Sequence, residues 1–148
     1  MSLTIGRVVR IADGDTLTVL SDGNEQHKIR LNGIDAPEKG QAFGKVARNH
    51  LASLVEGREV RVEWRSKDRY GRILGTVFAD GIDVNLEMLR AGLAWHYKRY
   101  DKTPAYAQAE AEAKAARRGL WSDKAPINPE DFRHSKGGMK PRERKHIN

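Results

Sequence analysis

Two of the three Asp-Gly pairs in the chain, Asp22-Gly23 and Asp80-Gly81, each follow a short run of strand-like sequence. Asp-Gly supplies the positive φ that a tight turn between antiparallel strands needs, so both positions force the chain back on itself. The residues around them agree. Residues 15–20 (D-T-L-T-V-L) alternate threonine with leucine and valine, the period of a half-buried strand. On the return strand, Glu25 to Asn32, His27, Ile29 and Leu31 share one face and Lys28 and Arg30 the other. Residues 4–12 read as an earlier strand, and 58–65 alternate with Val60, Val62 and Trp64 inward. Ile73 to Ala79 gives a fifth strand, ahead of the second Asp-Gly.

Helical spacing appears in three places. From about Ala42 to Glu56, Phe43, Val46, Ala47, His50, Leu51, Leu54 and Val55 form one apolar stripe, and Gly57 is the natural stop. Val84 to Arg90 predicts a short helix ended by Gly92. Pro104 suits the first turn of a last helix running to Arg118 and capped by Gly119, with Leu120 and Trp121 as anchors. Between the third strand and the first helix, Gly33, Pro37 and Gly40 lie too close together for regular structure. Three strands, a helix, two strands and two helices, joined early by tight hairpins, predict an α+β fold built on a small OB-type barrel.

At 148 residues the chain holds one domain with a real core, and with no cysteine it has neither disulfides nor thiolate metal sites. No apolar run reaches the length of a membrane span, which argues against a membrane partner. No charged region followed by an apolar stretch precedes the first strand, so no signal-peptide pattern is visible. The net charge of +7 favours acidic polymers as partners. It is unevenly spread: residues 124–148 carry seven Lys/Arg against three Asp/Glu, leaving only +3 on residues 1–123. The boundary near Asp123, where prolines, glycines and charges replace apolar residues, predicts a globular domain over 1–123 and a basic, flexible tail over 124–148, with Phe132 as a local anchor. The remaining surface is mostly charged, which favours a monomer.

The chemistry-bearing residues gather in three stretches: Asp13-Gly14-Asp15-Thr16, Arg30-Leu-Asn-Gly-Ile-Asp-Ala-Pro-Glu38, and Asp68-Arg-Tyr-Gly-Arg72. Asp15 opens one hairpin strand and Asp35 follows the end of its partner, so a hairpin can bring them to one rim. Two carboxylates with backbone oxygens suit a hard cation such as Ca²⁺ or Mg²⁺; taken singly, either aspartate is equally an ordinary turn residue. Arg30 and Arg72 can answer the charge that develops on a phosphodiester under attack. On spacing alone Arg30 is also a solvated strand residue, and Arg72 the partner of an ion pair with Asp68. Glu38 is the candidate general base; capping or pairing with Lys39 is its other reading. There is no nucleophilic Cys, no phosphate-binding glycine loop, and the five histidines are scattered.

Taken in order, D-G-D-T, R-L-x-G-I-D-A-P-E, D-R-Y-G-R and N-x-x-x-L-x-x-G-L-A resemble the staphylococcal (thermonuclease-like) nuclease family over residues 4–123. The resemblance implies a five-stranded OB-type β-barrel with three α-helices. It implies a Ca²⁺-dependent phosphodiesterase acting on DNA and RNA and leaving 3′-phosphates, secreted or periplasmic. By the same resemblance Asp15, Asp35 and the carbonyl of Ala36 bind calcium, with Asp13 in support. Arg30, Glu38 and Arg72 are catalytic, and Tyr70 and Tyr100 are candidates for stacking on bases. A shallow barrel groove with aromatics predicts a preference for single strands. The competing reading is a noncatalytic nucleic-acid-binding or protein-interaction module on the same barrel; the presence of every key residue argues against it.

Overall fold

The computed structural model describes residues 1–136. Strand β1 (Ser2–Asp13) is long enough to serve two neighbours. Its first half pairs antiparallel with β5 (Glu59–Lys67), and its second half with β2 (Thr16–Ser21). The changeover falls near Gly6, where any side chain would collide with the carbonyl of Leu20, so only glycine lets the strands approach this closely. β2 returns through a short 3₁₀ turn at Asp22–Asn24 into β3 (Glu25–Leu31). Gly23 there takes φ +78°, as the Asp-Gly pair requires. β5 pairs with β6 (Ile73–Ala79), and β6 closes the barrel by pairing in parallel with β3. The result is a closed five-stranded barrel with the expected OB-type order.

The apolar faces of these strands meet inside. Val8, Ile11, Leu17, Val19, Ile29, Leu31, Val60, Val62 and Val77 are buried together. Helix α1 (Gly44–Val55) plugs one end of the barrel with Ala47, Leu51 and Val55. Val46, expected on its apolar stripe, is 51% exposed instead. The stripe is narrower than the spacing suggested because α1 meets the barrel along a single line. The two-residue strand β7 (Ile82–Asp83) follows the second Asp-Gly turn and leads into α2 (Val84–Arg90). Asp83 caps α2 by accepting from Leu86 N–H. Asn85 is fully buried and bonds three barrel main-chain groups: Val77 N–H donates to it, and its amide donates to the carbonyls of Asn32 and Gly75. That places the asparagine of the N-x-x-x-L motif as the rivet between α2 and the barrel.

The segment 33–40, expected to be irregular throughout, contains a two-residue strand, β4 (Ile34–Asp35), paired antiparallel with β8 (Trp95–His96). This small second sheet clamps the loop that carries Asp35. α3 (Pro104–Ala115) stops three residues short of Arg118, where Arg117 and Gly119 take positive φ. Leu120 is buried and Trp121 meets Trp95 edge-to-face at 4.5 Å, as anchors should. Where composition predicts a flexible tail, residues 129–136 form a fourth helix, α4 (Pro129–Lys136), in addition to the three expected. Its signal is invisible to composition because the segment is polar; its support is tertiary, as described next. The part of the expected tail over 137–148 lies outside the described residues.

Candidate active site

The β2–β3 hairpin fixes the first carboxylate. Thr16 stands opposite Arg30, and Leu31 N–H donates to the carbonyl of Asp15 at 2.8 Å. Asp15 therefore sits beside the end of β3, just where the chain turns at Gly33 and re-enters as β4. Asp35 on β4 is 2% exposed and lies on the same side. Arg30 lies between them. Its guanidinium is 3.5 Å from Asp15 Oδ2 and 3.3 Å from Asp35 Oδ1. The other nitrogen donates to the carbonyls of Leu31 and Ile34, each at 2.8 Å. Its side chain is only 13% exposed, so the solvated-strand reading of Arg30 gives way to a buried hub. The alternation rule failed here because the face of β3 opposite the core is covered by the β4 loop.

The electrostatics follow from that geometry. Burial works to raise the Asp15 carboxyl, but Arg30, an Asp13 hydrogen bond, the Ala36 N–H at 2.8 Å and the Thr16 hydroxyl together hold it below the usual carboxylate range. Burial pushes Asp35 up, against the pull of Arg133 and Arg30. Burial and the neighbouring Asp15 charge push Asp13 up to about 7. Asp13 also accepts the N–H of Asp15 at 3.1 Å, so it shapes the turn that presents Asp15. Ala36 is buried next to Asp35, with its N–H on Asp15.

Glu38 lies in the loop that leads to α1. Its N–H donates to Gln41 Oε1, and Gly44, at the start of α1, packs so close to the Glu38 carbonyl that any side chain there would overlap it. Neither capping nor Lys39 engages its carboxylate. The partner is Arg133 of α4, at 2.7 Å from Glu38 Oε2. The same guanidinium reaches Asp35 Oδ1 at 3.2 Å and Oδ2 at 3.1 Å.

Arg72 comes from a separate turn. Asp68 Oδ1 accepts the N–H groups of Tyr70 and Arg72, and Oδ2 accepts Arg72 Nε at 2.7 Å. The ion pair considered from sequence is thus present, and it aims the arginine from the start of β6, two residues before Leu74, the parallel partner of Arg30. Tyr70 is 69% exposed, with the guanidinium groups of Arg69 and Arg72 over its ring at 5.0 and 5.7 Å. Tyr100 is also exposed and meets Tyr97 edge-to-face at 4.9 Å. Tyr97, not singled out from sequence, lines a cavity of about 270 Å³ together with Asp35, Lys98, Arg99 and Lys114. The pairing of Asp35 with Trp95 across β4–β8 brings it there, a long-range contact that no local pattern announces.

The structure therefore gathers Asp13, Asp15, Arg30, Asp35, Ala36 and Glu38 into one cluster, and sets Arg72 apart from it, in the turn just before β6, held by Asp68 and the Tyr70 ring. Sequence reasoning missed Arg133 and Tyr97. The donor set around Asp15 and Asp35 consists of oxygens alone, which fits a hard cation and not zinc. Among the described residues no three His, Asp or Glu side chains converge as a metal cage. A cation here would rest on the two carboxylates and main-chain oxygen.

Comparison with known proteins agrees with this geometry. The profile of the staphylococcal nuclease homologue family matches residues 28–123. An uncharacterized endonuclease of Haemophilus influenzae is 49% identical over 127 residues, covering 86% of this chain and 71% of the relative. An uncharacterized endonuclease of Escherichia coli is 48% identical over 132 residues, covering 88% and 86%. A probable staphylococcal-like nuclease of rice (Oryza sativa subsp. japonica) is 41% identical over 112 residues, covering 76% of this chain and 34% of the longer plant protein.

Proposed function

The chain belongs to the staphylococcal nuclease family, and on that premise we propose that it is a Ca²⁺-dependent, sugar-nonspecific nuclease that hydrolyses DNA and RNA to 3′-phosphate products. The observation that carries the reading is the cluster in which Arg30 spans Asp15 and Asp35, with Glu38 three residues further along the same loop.

Asp15, Asp35 and the Ala36 carbonyl would hold the ion, with Asp13 supporting the turn. When bound, Ca²⁺ supplies positive charge beside the scissile phosphate. Glu38 accepts a hydrogen bond from the attacking water and orients it in line with phosphorus. Arg30 and Arg72 donate to the non-bridging oxygens, where negative charge accumulates in the pentacovalent transition state, and to the leaving 5′-oxygen. Arg30 is locked by two main-chain carbonyls, so its contribution is preorganised. Arg72 is steered by Asp68 and the exposed Tyr70 ring, both in its own turn, and can swing to meet substrate. Exposed Tyr70 and Tyr100 offer faces on which unpaired bases stack, which favours single strands and breathing duplex over rigid GC-rich duplex. The charged surface favours action as a monomer.

The test is hydrolysis of a labelled single-stranded DNA with Ca²⁺, with EDTA, and with a Glu38→Gln/Arg72→Ala double variant. Cleavage that requires Ca²⁺ and vanishes in the double variant is the expected result. Binding without cleavage under any divalent ion would instead make the barrel a binding module.

A further inference from the structure

Among the described residues, Arg133 makes strong contacts in the site that the proposed chemistry does not use. It belongs to α4, which reaches the site by crossing back over the loop 33–44. Three features hold it there. The Gln41 side chain, whose Oε1 already accepts Glu38 N–H, donates through its amide to the carbonyl of Ile127. Phe132 lines an apolar recess with Phe43, Leu120 and Ile127. Arg99 and Glu130 pair at 3.4 Å on the outer side. The guanidinium of Arg133 then lies against both Asp35 oxygens and one Glu38 oxygen at 2.7–3.2 Å.

We propose that α4 is an internal ligand of the active site, a strap whose Arg133 occupies the place of the catalytic cation and of the water on Glu38 and must leave before either can bind. The inference rests on the proposed assignment of Asp35 as a cation ligand and Glu38 as the water-orienting base. Its physical basis is competition for the same lone pairs. Asp35 Oδ2 accepts Arg133 and Oδ1 is shared between Arg30 and Arg133, so its carboxylate is engaged on both oxygens. A second positive charge cannot settle on those oxygens beside an undisplaced guanidinium. Glu38 likewise cannot accept a hydrogen bond from water along the direction that Arg133 fills. The contact is also weakly insulated, with Arg133 and Glu38 each about one-third exposed, so it can open without disturbing the barrel. A polyanion would help it open, since an incoming phosphate offers Arg133 a new partner while bringing the substrate in.

The test uses the full chain in the absence of nucleic acid. CaCl₂ is titrated calorimetrically into the wild type, Arg133→Ala, Arg133→Lys and Asp35→Asn, and amide hydrogen exchange over 129–136 is followed along the wild-type titration. If the strap is undocked about one-tenth of the time, Arg133→Ala tightens the apparent Ca²⁺ affinity about tenfold. Arg133→Lys, a single-point cation without the fork, falls between Arg133→Ala and wild type. Exchange over 129–136 accelerates as Ca²⁺ saturates the wild type. An affinity in Arg133→Ala within twofold of wild type, a weaker one, or exchange over 129–136 indifferent to Ca²⁺ would each overturn the strap. Where the wild type and Arg133→Ala bind no Ca²⁺ at all, or Asp35→Asn binds it as well as wild type, the cation assignment itself has failed and the strap fails with it.

Discussion

Arg30 and Arg72 are assigned the same chemical task, yet the fold holds them in opposite ways. Arg30 projects from the end of a barrel strand into a pocket closed by the β4 loop, with its side chain 13% exposed and four protein groups within reach: itself bonded to two carbonyls, it bridges two carboxylates under the loop that carries Asp35. Arg72 stands at the mouth of a turn, 31% exposed, oriented by Asp68 and leaning on the ring of Tyr70. One arginine is part of the architecture and the other is mounted on it. The difference teaches where stability and chemistry separate: a group buried between opposite charges cannot be removed without leaving those charges stranded, while a group held by a local turn can.

The sharpest break of that comparison is Arg30→Ala. Removing the bridge leaves Asp15 buried without its arginine and Asp35 with Arg133 alone, so we expect a loss of about 3–5 kcal/mol in stability. A loss of about a thousandfold in cleavage should accompany it. Denaturant melts paired with turnover on single-stranded DNA check both; a stable but inactive variant would mean that the barrel tolerates the bare carboxylates. Next, Arg72→Ala should lower turnover by roughly two to three orders of magnitude while leaving the melting curve in place. Turnover within threefold of wild type would remove Arg72 from the chemistry.

Glu110 extends the comparison to a carboxylate that the proposed chemistry does not use. It is 2% exposed, accepts the N–H of His96 at 2.7 Å and pairs with Lys98 at 2.8 Å, beneath the short sheet that clamps Asp35. Burial works to raise its carboxyl, but Lys98, the His96 N–H and Lys114 hold it below its ordinary value. A carboxyl depressed in the folded state stabilises the fold above its unfolded pKa, and that contribution fades as pH falls through the folded value. Glu110→Gln should therefore cost about 1.5–3 kcal/mol at pH 7, with the gap to wild type narrowing on acidification below about pH 4. A gap that is constant from pH 7 to pH 3 would show that the charge plays no part. The smallest effect belongs to Tyr70→Ala, which should weaken single-stranded DNA binding by about 1 kcal/mol without changing Ca²⁺ affinity. Fluorescence anisotropy with a labelled oligonucleotide measures it, and unchanged binding would move the stacking surface to Tyr97 and Tyr100.

Much of this was legible in the chain. Local rules sufficed wherever a residue's role depends on its neighbours in sequence. The Asp-Gly pairs mark turns because positive φ is a local requirement, and Gly23 and Gly81 adopt it. Ile73–Ala79 and Val84–Arg90 have the predicted bounds because strand and helix periods are read over a few residues. Asp68 holds the turn that aims Arg72 because all its partners lie within four positions. The ordered motifs likewise named the residues of the cluster. What they could not supply was the environment of each. Arg30 reads as solvated by alternation because the loop that buries it arrives from outside its own hairpin.

The sequence by itself determined the five barrel strands, the hairpin turns, the first three helices, and the residue types that meet at the site. Tertiary structure alone decided three things: that Arg30 is buried between two carboxylates, that Tyr97 and a cavity lie beside Asp35, and that Arg133, 95 positions along the chain from Glu38, closes upon it. The reason is the same in each case. Propensity and periodicity report how a residue relates to the few that precede and follow it, whereas an ion pair between distant segments exists only once the barrel has closed and brought them within about 3 Å.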